Sequence, residues 1–236
     1  MVKKSSASVF RESLMLYVLV LYLAACSGTG GPTGPIPAGK AIGVAVDGLD
    51  NVYISGVTGT TTGNGIYGWP SYWLNGALTQ MYSDSDFWVN QDAVDSSGNL
   101  YVAGAVGNIG PTAAYWGNGA LTSLPMNSNW NGIAYGTDIS QGSVYFVGEV
   151  GNFPSIQRPC YWKDGTFRDL PFGGVPYDYG WAVGAAFDGQ GKAYIAGRAG
   201  NSDNDLVPCY WLVKSPSGTV TVKYLKMNTG NAFGVA

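Results

Sequence analysis

The chain contains no histidine, and only 11% of its 236 residues are charged. Without an imidazole there is no Ser-His or Cys-His nucleophile pair, no histidine general base, and the commonest zinc ligand is missing. The formal net charge is -3, and no basic stripe of the kind that binds nucleic acid is present. We therefore expect no nucleic-acid partner, no metal or other cofactor, and no assignable catalytic residue.

Small and aromatic residues, in contrast, are abundant. Thirty-six glycines accompany 16 tyrosines and 8 tryptophans, and 46% of the residues are apolar. This composition is sufficient to bury a core, and it favours short strands joined by tight turns. A collagen-like fibre is excluded, because the glycines follow no strict Gly-X-Y period.

The N-terminus has the pattern of an export signal. Basic residues within the first 11 positions precede the apolar run LMLYVLVLYLAAC, which is shorter than the roughly 20 residues of a membrane-spanning helix. The run ends in Leu-Ala-Ala-Cys, which resembles the bacterial lipobox. The resemblance implies that residues 1–25 are a signal peptide and that Cys26 is lipidated and becomes the new N-terminus. The alternative is an ordinary secretory signal in which Cys26 occurs by chance.

The resemblance to lipoproteins also implies a location. Ser27 after the cysteine resembles the sorting signal for the outer rather than the inner membrane, if the envelope is Gram-negative. Residues 26–40 are mostly Gly, Pro, Ser and Thr with almost no charge, and they indicate a flexible tether. We therefore expect a protein of the bacterial cell envelope, held at the membrane by a lipid on Cys26, with a folded domain at 41–236.

That domain consists of one unit repeated four times. Each unit has a small-residue strand, a tyrosine-centred strand, a strand ending in Tyr-Trp, and a short last strand. The tyrosines of the second strand lie at positions 53, 101, 145 and 194. Four antiparallel strands in every roughly 40 to 50 residues are the signature of a β-propeller blade. We predict an all-β propeller of four four-stranded blades, with units of about 41–83, 88–125, 131–171 and 180–228.

Turn chemistry and alternation refine this prediction. In the first three units, an Asn-Gly or Asp-Gly dipeptide begins two residues after the tryptophan of the Tyr-Trp pair. These dipeptides favour a type I′ hairpin turn. Alternation along the second strand places its aliphatic residues on one face of the blade and its tyrosines on the other. The turn pairs are Asn75-Gly76, Asn118-Gly119 and Asp164-Gly165.

The segment AVDSSGNLYVAG at 93–104 resembles bacterial β-propeller repeats of the SBBP type. The Tyr-Trp-x-Asn-Gly portion is similar to repeats of uncharacterised bacterial surface lipoproteins. The resemblance covers residues 41–236. It implies the propeller fold but no particular activity, because propellers include enzymes, binding proteins and scaffolds.

The last residues complicate the count of blades. AFGVA from Ala232 matches AIGVA from Ala41 at four of five positions, so residues 231–236 are predicted to begin a fifth unit. Three alternatives remain open at this stage. The chain is a truncated product of a longer gene, or it closes as four blades with an additional strand, or it is an open arc that a second copy completes. An open arc would expose apolar end faces.

Cys160 and Cys209 occupy the same repeat position, directly before Tyr-Trp. Equivalent positions in adjacent blades lie at least roughly 10 Å apart, whereas a disulfide needs Cα atoms within about 7 Å. We therefore predict two free, buried thiols. The tryptophans of the Tyr-Trp pairs are predicted to fill the space between blades, because every unit has one.

Candidate binding residues lie in the segments that enter the innermost strands, at one mouth of the axial channel. Aromatic faces beside fixed polar groups are typical of sites for sugars or peptides. The alternative is that these tryptophans close the axis. The candidates for binding a glycan, peptide or protein are Trp88, Trp130, Trp181, Asp86, Asp178 and Tyr179.

These features favour a non-enzymatic binding or scaffold module of the envelope that acts through one face of the propeller. The alternative function is a carbohydrate-active hydrolase or lyase. It would use two loop carboxylates, Asp86 and Asp178, at the separation that glycosidases require.

The assignment of Cys26 predicts that the chain incorporates radiolabelled fatty acid in a bacterial host. Cys26→Ser should abolish the label and leave the uncleaved precursor, because no thiol remains for lipid attachment. Cys209→Ser is the matched control and should keep the label. Labelling of the Cys26→Ser variant would contradict the assignment.

Overall fold

The computed structural model describes residues 38–62, 65–81, 87–153, 155–174, 176–201, 205–214 and 217–225. The predicted signal peptide, Cys26, Asp86 and the partial unit at 231–236 lie outside these residues. The first strand begins at Ala38, so residues 38–40, which were assigned to the tether, belong to the folded domain.

In the described part of the chain, sixteen strands form four antiparallel sheets of four strands each, and in every sheet the strands lie side by side in chain order. This confirms the predicted all-β fold of four four-stranded blades. From the first sheet to the fourth, the strands are β1 (Ala38–Val46), β2 (Val52–Thr62), β3 (Gly65–Leu74), β4 (Ala77–Gln80); β5 (Phe87–Val94), β6 (Leu100–Val106), β7 (Thr112–Gly117), β8 (Ala120–Ser123); β9 (Asn131–Ser140), β10 (Ser143–Gly151), β11 (Arg158–Lys163), β12 (Thr166–Asp169); β13 (Tyr179–Phe187), β14 (Ala193–Gly200), β15 (Leu206–Val213) and β16 (Val220–Tyr224).

The predicted type I′ hairpins join the last two strands of the first three sheets. Both residues of each turn have positive φ, for example 50° at Asn75 and 87° at Gly76. The first turn residue also anchors the neighbouring strand, because Val52 N donates to Asn75 Oδ1 at 2.9 Å and Val144 N donates to Asp164 Oδ1 at 2.9 Å. Asn and Asp thus serve both the turn and the sheet.

Each sheet has two different faces. We call the face that carries the tryptophan of the Tyr-Trp pair the Trp face, and the opposite face, which carries the tyrosine of the second strand, the Tyr face. The Trp face of each later sheet packs on the Tyr face of the sheet before it. Ring centroids across these contacts are 5.5 Å apart for Tyr72 and Trp116 and 4.7 Å apart for Tyr115 and Phe146. The core therefore consists of three layers between consecutive sheets.

One hydrogen bond recurs in all three layers. The indole N–H of a Tyr-Trp pair donates to a backbone carbonyl at the end of the outermost strand of the preceding sheet. The donor–acceptor distances are 2.9 Å from Trp116 to Met81, 2.7 Å from Trp162 to Pro125 and 2.8 Å from Trp211 to Pro171. The predicted packing of these three tryptophans between blades is confirmed. For Trp73 the same prediction is wrong, because no described sheet packs on its side of the first sheet and its side chain is partly exposed.

The innermost strands β1, β5, β9 and β13 each contain a β-bulge at the same level. At this level the sheets approach one another closely, and Asn90 Nδ2 donates to the Ala134 carbonyl at 2.8 Å. A Cβ atom on Gly136 would lie 2.8 Å from the Val183 carbonyl oxygen, which explains the glycine there. The strands nearest the axis are therefore crowded, which fits the small residues that they carry.

Cys160 and Cys209 are free and buried, as predicted. Each lies on the Trp face of its sheet, within the layer that joins it to the preceding sheet. Burial raises the pKa of the Cys160 thiol well above its ordinary value and that of Cys209 to about 12. Both thiols are therefore structural and unreactive while the layers are closed.

Trp211→Phe should lower the free energy of unfolding by about 2 kcal/mol, because it leaves a void in a fully buried layer and removes the hydrogen bond to Pro171. Trp88→Phe is the control, since Trp88 is 39% exposed, and it should cost less than about 0.5 kcal/mol. Urea unfolding measures both. Equal losses for the two variants would contradict a structural role of the indole hydrogen bond.

Candidate functional site

The mouth is the end of the axis at which the innermost strands begin. Two hydrogen bonds tie these strand starts to the loops of the preceding sheet: Gly132 N donates to the Pro111 carbonyl at 2.7 Å, and Gly180 N donates to the Gln157 carbonyl at 2.8 Å. The backbone at the strand starts, and with it the side chains there, is thus fixed in position. Such a fixed backbone suits a site that keeps its shape before a ligand arrives.

The predicted tryptophans lie at this mouth, but two of them are in strands rather than loops. Trp88 is the second residue of β5, opposite Ala105, and Trp181 is the third residue of β13, opposite Arg198. Trp130 directly precedes β9 and has a different repeat position. None of the three is fully buried.

Trp88 has the most exposed indole of the three predicted tryptophans. Its side chain is 39% exposed, and its Nε1 donates to Asn108 Oδ1 at 3.3 Å. The neighbouring residues Phe87 and Val89 are buried in the layer between the first two sheets. Because these neighbours fix the strand, the Trp88 ring is held in place while its surface stays open.

Trp181 carries a guanidinium on its ring. The Cζ atom of Arg198 lies 3.3 Å from the ring centroid, and the ring of Tyr179 meets Trp181 edge-on at 5.8 Å. Tyr179 is buried and supports the indole from the side. The Cζ atom of Arg158 lies 5.8 Å from the ring centroid of Trp130. Both arrangements are cation–π contacts, which restrict the orientation of the guanidinium.

A buried acid lies close to this cluster. Glu149 is 4% exposed, and the Tyr135 hydroxyl donates to its Oε1 at 2.6 Å. Burial and the nearby Glu149 carboxylate raise the pKa of Tyr135, while the charge of Arg198 opposes this shift. The phenol therefore stays protonated and keeps the carboxylate in place. Tyr135 is the additional residue of the bulge in β9.

The structure thus brings Tyr179 and Trp181 together with Arg198, Tyr135 and Glu149. Asp178 directly precedes β13 and is exposed. Asp86 lies outside the described residues, so the separation of the two predicted carboxylates is not defined. Within the described ranges, no cluster of three or more metal-ligating side chains occurs.

Glu149 and Arg198 belong to segments after the tyrosine strands that, on sequence grounds, share the face of the mouth, but they are not among the six binding candidates. Four residues after the tyrosine of the second strand, the units carry Val57, Ala105, Glu149 and Arg198. Two charged residues in a column that is otherwise apolar depart from the core pattern. The partner of Glu149, Tyr135, had no comparable signal, because the bulge cannot be located from the repeat alone.

A second buried carboxylate lies deeper along the axis, between the first and second sheets. Asp92 is 4% exposed, and its Oδ2 accepts a hydrogen bond from Ser55 N at 3.1 Å. Burial raises the pKa of Asp92 from 3.8 to about 6. A Cβ atom on Gly43 would collide with this carboxylate, so the first sheet leaves room for it.

Among the residues that the structure covers, no helix has the length and apolar character needed to cross a membrane. No protein-family model matches the chain, and no curated protein is detectably similar to it. It resembles a solved protein of unknown function from Bacteroides caccae at 13% identity and a TM-score of 0.42, over 81% of this chain and 62% of that one. A mutant of levansucrase from B. subtilis is similar at 9% identity and a TM-score of 0.45, over 81% of this chain and 71% of the other.

The chain thus spans less than two thirds of the Bacteroides caccae protein. At these scores neither structure supports an inference about function. The fold assignment follows from the strand order and packing described above.

Asp92→Asn should change the pH dependence of stability. The native carboxyl keeps its proton up to a pH of about 6, whereas the unfolded one loses it near 3.8, so stability falls as pH rises between these values. The neutral amide of the variant does not ionise, so the variant does not lose folding stability as pH rises. At pH 7.5 its free energy of unfolding should exceed that of the wild-type protein by up to about 3 kcal/mol. Thermal unfolding from pH 4 to 8 measures the effect.

Asp95→Asn is the control. Burial raises the pKa of Asp95, but hydrogen bonds from Asn99 and Ser97 outweigh it and the net pKa is lowered. The stability due to this carboxylate is present above the unfolded pKa and is lost as pH falls. Replacing Asp95 should therefore destabilise the protein at neutral pH. A loss of stability for Asp92→Asn at pH 7.5 would contradict the buried-charge explanation.

Proposed function

We propose that this protein is a lipid-anchored binding module of the bacterial cell envelope that takes an acidic glycan at its mouth without transforming it. The export and lipidation pattern ending at Cys26 supports the anchor, and the tether after it supports a domain presented away from the membrane. The observation that carries the binding function is the Arg198 guanidinium, 3.3 Å above the Trp181 ring centroid at the mouth.

The chemistry of this pair fits a carboxylated sugar. A guanidinium that lies on a ring is held in one plane, and its planar donor fork matches the two oxygens of a carboxylate. Indole surfaces provide flat apolar area against which the C–H face of a sugar packs. Arg158 near Trp130 repeats this combination on the neighbouring blade at a centroid distance of 5.8 Å.

The mouth also extends over more than one blade. Trp88 on the second sheet, Trp130 on the third and Trp181 on the fourth follow one another around the axis. Their partly exposed rings supply several contact points along a chain rather than one deep pocket. This arrangement favours an oligosaccharide over a small metabolite.

The hydrolase alternative has less support. Glycosidases use two carboxyl groups about 5 to 10 Å apart. Of the described residues at the mouth, Glu149 is the carboxylate that is buried, and its Oε1 accepts a hydrogen bond from the Tyr135 hydroxyl. We retain the binding function because a described contact, the stacking of Arg198 on Trp181, supports it directly.

Calorimetric titration of the full chain in mild detergent tests the proposal. Tetragalacturonate should bind at least about 10-fold more tightly than the neutral cellotetraose, because only the former offers carboxylates to the guanidiniums. Arg198→Lys should lower the affinity for tetragalacturonate about 10-fold, since it keeps the charge but loses the planar fork. Trp88→Ala should lower it by a similar factor.

Leu49→Ala is the control. Leu49 is 83% exposed and lies in the turn after β1, at the end of the sheet opposite the mouth. It should leave the affinity unchanged. Equal affinity for the acidic and the neutral tetrasaccharide, or unchanged binding in both mouth variants, would overturn the acidic-glycan function.

A further inference from the structure

The Trp face of the first sheet is uncovered. Val44, Ile54, Trp73 and Leu78 lie directly opposite one another across its four strands and form one apolar row. Val44 is 64% exposed and Leu78 is 52% exposed. In the other three sheets the tryptophan of this row is at most 5% exposed.

Two further apolar side chains enlarge this surface. By strand alternation Val46 and Trp69 lie on the same face as Val44 and Trp73, and they are 48% and 47% exposed. No charged side chain belongs to the row that crosses the strands. An apolar surface of this kind on a folded domain marks an interaction site.

The Tyr face of the fourth sheet is likewise left open by the described residues. Tyr194 and Tyr210 are partly exposed, but so are Tyr101 and Tyr115 on the covered Tyr face of the second sheet, and Leu225 distinguishes the two faces more clearly. Leu225 follows the outermost strand and is 40% exposed. Its counterparts in the first three sheets are at most 7% exposed, and they are Met81, Leu124 and Leu170.

Backbone hydrogen bonds show that these residues are equivalent. Leu225 N donates to the Pro208 carbonyl as Met81 N donates to the Pro70 carbonyl. In the closed layers, the indole of the next sheet covers this position and donates to the backbone carbonyl of this residue or of the one after it. Within the described residues, no such indole lies over Leu225, and the Trp73 N–H has no acceptor.

The two uncovered faces are therefore the two halves of a contact that the chain already makes three times. We propose that a second copy of this chain covers them, so that the Trp face of the first sheet of one copy packs on the Tyr face of the fourth sheet of the other. Two-fold symmetry repeats the contact on the opposite side. The result is a closed ring of two chains with eight blades in total, which lies within the range of four to eight found in propellers.

A second copy is favoured over closure within one chain. Closure of a single chain would bury Val44, Leu78 and Leu225, but all three are exposed in the described structure. Extensive contacts join each sheet to the next in sequence, and no comparable contact joins the described strands of the fourth sheet to those of the first. A second copy supplies both complementary halves, including the donor at Trp73 and the carbonyls near Leu225.

Sedimentation equilibrium of the full chain in density-matched detergent tests this pairing. The wild-type protein should have twice the mass of one mature chain. Leu212 lies opposite Tyr194 on the Tyr face of the fourth sheet. Val44→Asp on the Trp face and Leu212→Asp on the Tyr face should each weaken self-association at least about 100-fold, because an unpaired carboxylate would have to leave water at the interface. Ile109→Asp is the matched control, since Ile109 is 98% exposed in the loop after β6, and it should remain a dimer.

A mixture of the two face variants distinguishes this pairing from other dimers. Val44→Asp keeps an intact Tyr face and Leu212→Asp keeps an intact Trp face, so an equimolar mixture should form a heterodimer that neither variant forms alone. Thermal unfolding should show that both variants remain folded. A monomeric wild-type protein, a dimer that survives both substitutions, or a mixture that stays monomeric would each overturn the proposal.

Discussion

The packing of a tryptophan face on a tyrosine face is the interaction on which the whole domain depends. A four-stranded sheet cannot shield both of its faces from water, so each sheet needs a neighbour on either side. The indole hydrogen bonds of Trp116, Trp162 and Trp211 fix the depth at which consecutive sheets meet. Together with the backbone hydrogen bonds of Gly132 and Gly180, these contacts hold the strand starts at the mouth and so support the geometry of the candidate site.

Much of the fold was predictable because its determinants are local in sequence. The period of the tyrosines gives the blade, Asn-Gly and Asp-Gly give the hairpins, and alternation gives the two faces. The bulges of the innermost strands were not predictable, because they result from contacts between sheets. Asn90 of the second blade donates a hydrogen bond to Ala134 of the third. The Gly43 position accommodates the Asp92 carboxylate of the next blade. No window of one unit contains both partners.

The candidate site was predictable only in part for the same reason. Trp88 and Trp181 stand out because they interrupt a small-residue strand, and Glu149 and Arg198 stand out within their repeat column. The stacking of Arg198 on Trp181 depends on the pairing register of β13 and β14, which sequence patterns define only approximately. The Tyr135–Glu149 hydrogen bond depends in addition on a bulge.

The two buried cysteines allow the opening of two layers between sheets to be measured separately. Cys160 lies in the layer between the second and third sheets and Cys209 in the layer between the third and fourth, whereas the first layer has Ala114 at this position. A thiol reagent can reach either sulfur only when its own layer opens. The rates of alkylation at the two positions would therefore report how often each layer opens. They would rank the local stability of two neighbouring layers within one native chain.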